Sequence, residues 1–149
     1  ALQAIRKLGF SRALVRGSGD IALGDPPPGA AGWRVGIAPL DADAEPTEFL
    51  TLANVCVSTS GDARQHLVVD GKRYSHILDP RTGWPVSGRS SVTVVAPRGY
   101  LADGLATAVS VLGAEEGKKL LDRTPEVKGL LIFEQDRQQT RTESMRWKE

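Results

Sequence analysis

Apolar and polar positions along the chain alternate with a period of two over several short stretches, and once with a period near that of a helix. Trp33 to Ala38 alternates as a strand, and Phe49 to Val57 is a longer apolar run with β-branched residues. Ser58-Thr59-Ser60-Gly61 is expected to break that run as a small polar turn. Gln65 to Val69 and Lys72 to Ile77 flank Asp70-Gly71, a pair that accepts positive φ at low cost, so a hairpin is predicted there. Ala13 to Val15, Ser91 to Ala96, Leu130 to Phe133 and, at the end, Thr142 to Trp147 read as further strands. Leu101, Leu105, Val109 and Leu112 fall on one helical face, and Gly113 ends that helix. Ala114 to Leu121 is a shorter helix, and Ala1 to Leu8, stopped by Gly9, opens the chain as another. Asp25-Pro26-Pro27-Pro28-Gly29 lacks an amide donor at each proline and reads as a stiff surface loop.

Hairpin-like strands with a few helices predict one α+β domain over 1–149 with a mostly antiparallel sheet. The strands do not alternate regularly with helices, which argues against a doubly wound parallel sheet. Gly17-Ser18-Gly19 is followed by Asp20-Ile21-Ala22-Leu23-Gly24, a strand pattern, so neither a Rossmann nor a P-loop phosphate cradle is expected. At 149 residues, 40% apolar and 25% charged, the chain can build an ordinary core. A net charge of +1, with Lys and Arg scattered, gives no electrostatic case for nucleic acid or an anionic membrane surface. No apolar run is long enough for a membrane-spanning helix. Cys56 is the single cysteine, which excludes an intramolecular disulfide and a multi-cysteine metal site; within Ala53 to Val57 it reads as a small core residue.

Three segments can carry chemistry. Tyr74-Ser75-His76-Ile77-Leu78-Asp79-Pro80-Arg81-Thr82-Gly83-Trp84-Pro85 is a loop stiffened by two prolines and bent at Gly83. His76 there can move a proton near neutral pH, and Asp79 can cap the turn or orient the imidazole. The structural alternative is a capped turn in which His76 bonds a carbonyl. In Asp103-Gly104-Leu105-Ala106-Thr107, positions i and i+4 share a helix face, so a carboxylate and a hydroxyl can reach one hard cation such as Mg²⁺. The alternative puts Asp103 in the first helical turn, with Thr107 bonded back to its carbonyl. Ser58-Thr59-Ser60-Gly61-Asp62 offers hydroxyls and amides that suit a phosphate or a flavin edge, a weak signal alone. Trp33, Trp84 and Trp147 read as core or partly buried surface rather than stacking platforms, Lys72 and Arg81 as exposed charge, and His66 as an outward strand residue without a role.

In order and spacing, Val57 to Asp62, then Asp70 to Gly83, then Ser91 to Ala96, then Ala102 to Ala108 resemble the ApbE family of FAD:protein FMN transferases. The string His76-Ile77-Leu78-Asp79-Pro80-Arg81-Thr82-Gly83 carries most of the resemblance, and Gly17-Ser18-Gly19-Asp20-Ile21 resembles the family's Gly-Gly-acid turn with Ser18 for one glycine. The resemblance implies an ApbE-like, tunnelling-fold-like core, of which this chain is the C-terminal part. It implies FAD as substrate, a target flavoprotein subunit bearing an acceptor Thr or Ser, and AMP as leaving group. Asp103 and Thr107 would hold Mg²⁺, His76 would be the base, and Ser60, Gly61, His76, Ile77, Asp79, Thr82 and Gly83 would meet the flavin nucleotide. Some relatives have another carboxylate where Ala106 stands, so a leaner metal shell is expected. Family members are longer, with further flavin contacts in a preceding half. They are usually exported and often lipid-anchored, although no such signal stands in this chain. The competing expectations are FAD diphosphate hydrolysis to FMN and AMP on the same site, and a flavin-binding or structural half-domain without catalysis.

Overall fold

Small and β-branched residues build the longest strands of this protein, and residues at positive φ make its tightest turns. The computed structural model describes residues 1–149 apart from 42, 64, 136, 148 and 149. The elements are α1 (Leu2–Lys7), β1 (Leu14–Gly17), β2 (Asp20–Leu23), β3 (Trp33–Gly36), β4 (Phe49–Leu52), β5 (Cys56–Gly61), β6 (His66–Val69), β7 (Lys72–Ser75), β8 (Arg89–Ala96), α2 (Gly99–Arg123), β9 (Lys128–Gln135) and β10 (Gln138–Glu143). A six-stranded sheet runs in the order β1-β2-β5-β8-β9-β10, antiparallel at every pairing. β3 with β4, and β6 with β7, form separate two-stranded sheets. This is the α+β fold with a mostly antiparallel sheet that the sequence predicts.

β8 is buried along almost its whole length because both faces of the sheet are covered. Val92, Val94 and Ala96 pack with Ala102, Ala106, Val109 and Leu121 of α2. Val95 faces the other way and joins Leu23, Val35, Ile37, Val57 and Trp147, as the two-residue period of a strand requires. Burying one such Val or Leu stabilises the fold by about 1.5–3 kcal/mol.

The helix lies on the sheet through small residues. Ala102, Ala106, Val109, Ser110 and Gly117 are its buried positions, together with Leu121. Leu101 and Leu105 flank this stripe half-buried and Leu112 is 41% exposed, so the predicted leucine face is corrected by one residue position, with Val109 common to both. The reason is distance: a Cβ added at Gly117 would stand 2.6 Å from Cγ1 of Val109, and only small side chains fit at the centre. Gly113, at φ 81, breaks the helical geometry where the sequence predicts a stop, and the helix resumes after it.

Other expectations also change. Phe49 to Val57 is not one strand: Asn54, at φ 58, divides it into β4 and β5. Ser58-Thr59-Ser60-Gly61 is not a breaking turn but most of β5, because its hydroxyls find partners inside the fold. Ser58 Oγ donates to Asp20 Oδ1 at 2.5 Å, Thr59 Oγ1 lies 3.0 Å from Thr93 Oγ1, and Ser60 Oγ lies 3.0 Å from Thr107 Oγ1. The last strand ends at Glu143, and Trp147, 3% exposed, enters the core from a turn beyond it; β10 is a mostly polar edge strand and carries no apolar signal. Trp84 is 69% exposed rather than core or partly buried surface. Cys56 is half-buried, and that burial pushes its thiol pKa up.

Candidate functional site

The hydroxyls that keep β5 in the sheet also place it under α2. Alternate residues of a strand share a face, so Ser60, on Thr107, and Ser58, on Asp20, point the same way. No acidic residue occupies the first turn of α2. Asp103 is therefore not a cap on the helix dipole, and Thr107 bonds across to Ser60 rather than back to the residue-103 carbonyl. Asp103 is exposed and its carboxylate has no hydrogen-bond or ion-pair partner among the described residues. The result is an all-oxygen row: Asp20, Ser58 and Ser60 on the sheet, Thr107 and Asp103 on the helix.

That donor chemistry fits Mg²⁺, a hard cation that takes oxygen ligands and keeps several waters. Among the described residues no three of His, Cys, Asp or Glu gather to enclose a metal ion.

His76 follows β7 directly and is exposed. Its backbone N–H donates to the Gln65 carbonyl at 3.3 Å, and its Nδ1 lies 2.9 Å from the same oxygen. A carbonyl only accepts, so Nδ1 carries the proton and the lone pair sits on Nε2. The carbonyl bond that reads from sequence as a purely structural alternative is thus also what prepares Nε2 to accept a proton. Gln65, not Asp79, orients the ring.

Asp79 instead organises the loop. Its Oδ1 accepts the Arg81 backbone N–H at 2.9 Å, and its carboxylate takes the Arg81 guanidinium through Nε at 2.9 Å and Nη2 at 2.7 Å. The hydrogen bonds from Arg81 hold the Asp79 pKa below its ordinary value and raise that of Arg81. The Asp79 carbonyl accepts the N–H groups of Thr82 (3.2 Å) and Gly83 (2.8 Å), and its own N–H donates to Trp84 O at 2.8 Å. Thr82 Oγ1 accepts the Trp84 N–H at 3.2 Å, and Gly83 sits at φ 73. Ile77, 6% exposed, roots the loop, and Arg81 Nη2 reaches Val111 O of α2 at 3.4 Å. Gly61 belongs to the sheet: a Cβ there would stand 2.1 Å from the Ser90 carbonyl oxygen.

Sequence reasoning missed the pair Asp62 and Arg73. Asp62 is 1% exposed, and Arg73 Nε donates to its Oδ2 at 2.5 Å. The available signal was an acid closing the polar run and a cation inside a predicted strand, with nothing in the spacing to join them.

Fold and site define an α+β domain whose central helix and strand present oxygen donors suited to a hard cation, and whose hairpin loop carries a histidine with a free Nε2. The ApbE family model matches residues 1–131, and the chain belongs to that family. It is 34% identical over 134 residues to the FAD:protein FMN transferase of Vibrio cholerae, covering 89% of this chain and 40% of that protein. It is 42% identical over 103 residues to the FAD:protein FMN transferase of Treponema pallidum, covering 68% of this chain and 28% of that one. The solved structure of the flavin transferase ApbE from Vibrio cholerae superposes with a TM-score of 0.81 at 32% identity, over 98% of this chain and 46% of that chain. The chain thus spans less than half the length of these relatives.

Proposed function

We propose that this chain forms the metal- and base-bearing part of a flavin transferase that moves FMN from FAD to a Thr or Ser hydroxyl of a target flavoprotein and releases AMP. The observation that carries this reading is the oxygen row in which Thr107 meets Ser60 and Asp103 stands free one turn before it. Asp103 and Thr107 would hold Mg²⁺, with Ala106 adding no carboxylate. The metal, when bound, supplies positive charge against the diphosphate of FAD. His76 Nε2 takes the proton of the acceptor hydroxyl. The hydroxyl oxygen bonds to the FMN-side phosphorus while the bond between that phosphorus and the bridging oxygen breaks, and AMP departs with the bridging oxygen. Ser60, Gly61, Ile77, Asp79, Thr82 and Gly83 line the nucleotide site in this reading; the Ser60 and Thr82 hydroxyls supply polar contacts and Ile77 an apolar base, while the turn amides, bonded within the loop, hold its shape. By family likeness the protein acts in the cell envelope after export; among the described residues no helix is long and apolar enough to cross a membrane.

The test follows FAD binding, AMP release and label transfer to an acceptor flavoprotein, with and without Mg²⁺, in the wild type and in Asp103→Ala. Metal-dependent AMP release coupled to transfer, lost in the variant, supports the reading. AMP release that needs no acceptor identifies a hydrolase instead. Turnover indifferent to both Mg²⁺ and Asp103 ends it.

A further inference from the structure

We propose that Asp62 and Arg73 are positioning residues for His76, acting through the Gln65 carbonyl that sets its tautomer. The hairpin of β6 and β7 pairs with neither edge of the six-stranded sheet, and Asp62 ties it there. Asp62 is registered on β8: its N–H donates to Ser90 O at 3.3 Å, and its Oδ1 accepts the Ser90 N–H at 2.9 Å. Both hairpin strands converge on the same residue. Arg73 of β7 donates Nε to its Oδ2 at 2.5 Å and Nη2 to its carbonyl at 2.6 Å, and His66 of β6 donates Nδ1 to that carbonyl at 3.0 Å. A guanidinium fork that grips the carboxylate and the carbonyl of one residue fixes orientation as well as distance, which an ammonium cannot do. Gln65 lies three residues beyond Asp62, and His76 three beyond Arg73. The fork therefore sets both ends of the bond from Nδ1 to the Gln65 carbonyl. When that bond is lost, the imidazole gains access to the tautomer protonated at Nε2, in which Nε2 has no lone pair to offer.

This inference rests on His76 being the base, so its test must separate the two. Imidazole ¹⁵N NMR reports the tautomer directly; with two histidines in the sequence, His76→Gln assigns the signals. The wild type is expected to show His76 protonated at Nδ1. Arg73→Met, and the pair Asp62→Asn with Arg73→Met that leaves no buried unpaired charge, are expected to shift His76 toward the Nε2-protonated form. They should lower kcat by about 10–100-fold, as loss of a ring-orienting partner does elsewhere, with KM for FAD unchanged. Arg73→Lys, which keeps the charge but not the fork, should fall between. If Arg73→Met does not fold, the paired variant and Arg73→Lys carry the test. An unaltered tautomer in folded variants, with kcat of His76→Gln lowered by roughly 10²-fold, overturns the inference and leaves the base reading standing. Full AMP release by His76→Gln overturns the base reading, and the catalytic role of the pair with it.

Discussion

The oxygen row under α2 and the histidine loop after β7 solve the same problem in opposite ways. Asp103 and Thr107 are held by packing: the helix carrying them is pressed on the sheet through Ala102, Ala106 and Val109, each at most 1% exposed. Their positions can shift only if the core does, since packed interiors resist small displacements. His76 itself is exposed, and packing backs its loop at its buried neighbours Ser75 and Ile77 alone. Its loop hangs from a hairpin outside the main sheet, and hydrogen bonds fix it: Gln65 on the ring, Arg81 on Asp79, Arg73 on Asp62. In the proposed function, the cation would gain from the stiff arrangement, and a base for an incoming protein hydroxyl would be better placed on the exposed loop.

The largest expected effect falls on the packed side. Asp103→Ala removes the free carboxylate while leaving the buried stripe of α2 untouched, so Tm should stay within a degree or two. Metal-dependent turnover should fall by about 10³-fold, the order expected when charge stabilisation of several kcal/mol is lost. A large drop in Tm with little change in turnover would reverse the comparison. On the loop side, His76→Gln should cost roughly 10²-fold in kcat, within the usual worth of a general base, with Mg²⁺ dependence retained. Loss of Mg²⁺ dependence in that variant would show that the two regions are one site mechanically.

Gly61→Ala probes the seam between them. The new methyl would stand 2.1 Å from the Ser90 carbonyl oxygen, between strands that cannot part freely. Overpacking of this kind costs roughly 1–3 kcal/mol, and thermal unfolding should show it as a fall of roughly 2–4 °C per kcal/mol. An unchanged Tm would mean that the two strands can yield at Gly61.

The same contrast governs what could be read from the sequence. The shared helix of Asp103 and Thr107 is legible because a helix maps i and i+4 spacing onto one face. The hairpin is legible because Asp70 at φ 49 and Gly71 at φ 75 occupy the positive-φ turn that Asp-Gly predicts. Ser58 to Gly61 misled because polar residues read as a turn, whereas here the fold supplies Asp20, Thr93 and Thr107 as partners from distant segments. Asn54 hid the division of an apolar run, since its positive φ leaves no mark on hydrophobicity. Asp62 with Arg73, and Gln65 with His76, were not legible at all: each bond depends on how the hairpin sits on the sheet, and one partner in the second is a backbone carbonyl, which every residue has.

The smallest effect is the most specific to the loop. Asp79 has its pKa depressed in the folded protein, chiefly by the hydrogen bonds from Arg81. A depressed carboxylate contributes stability that is fully present above its unfolded value of about 3.9 and is lost as pH falls through the lower folded value. The Gly83 N–H, bonded to the Asp79 carbonyl at 2.8 Å, reports on the turn. Its NMR signal should be constant above pH 5 and move as the pH drops below 4, while amides of the buried strand β8 hold still. Asp79→Asn keeps an oxygen for the Arg81 N–H but has no proton to gain, so its Gly83 signal should be flat over that range. A Gly83 signal that still titrates in Asp79→Asn would assign the acid response to another carboxylate, and the loop would then owe its shape to its prolines and Gly83 more than to the Asp79–Arg81 pair.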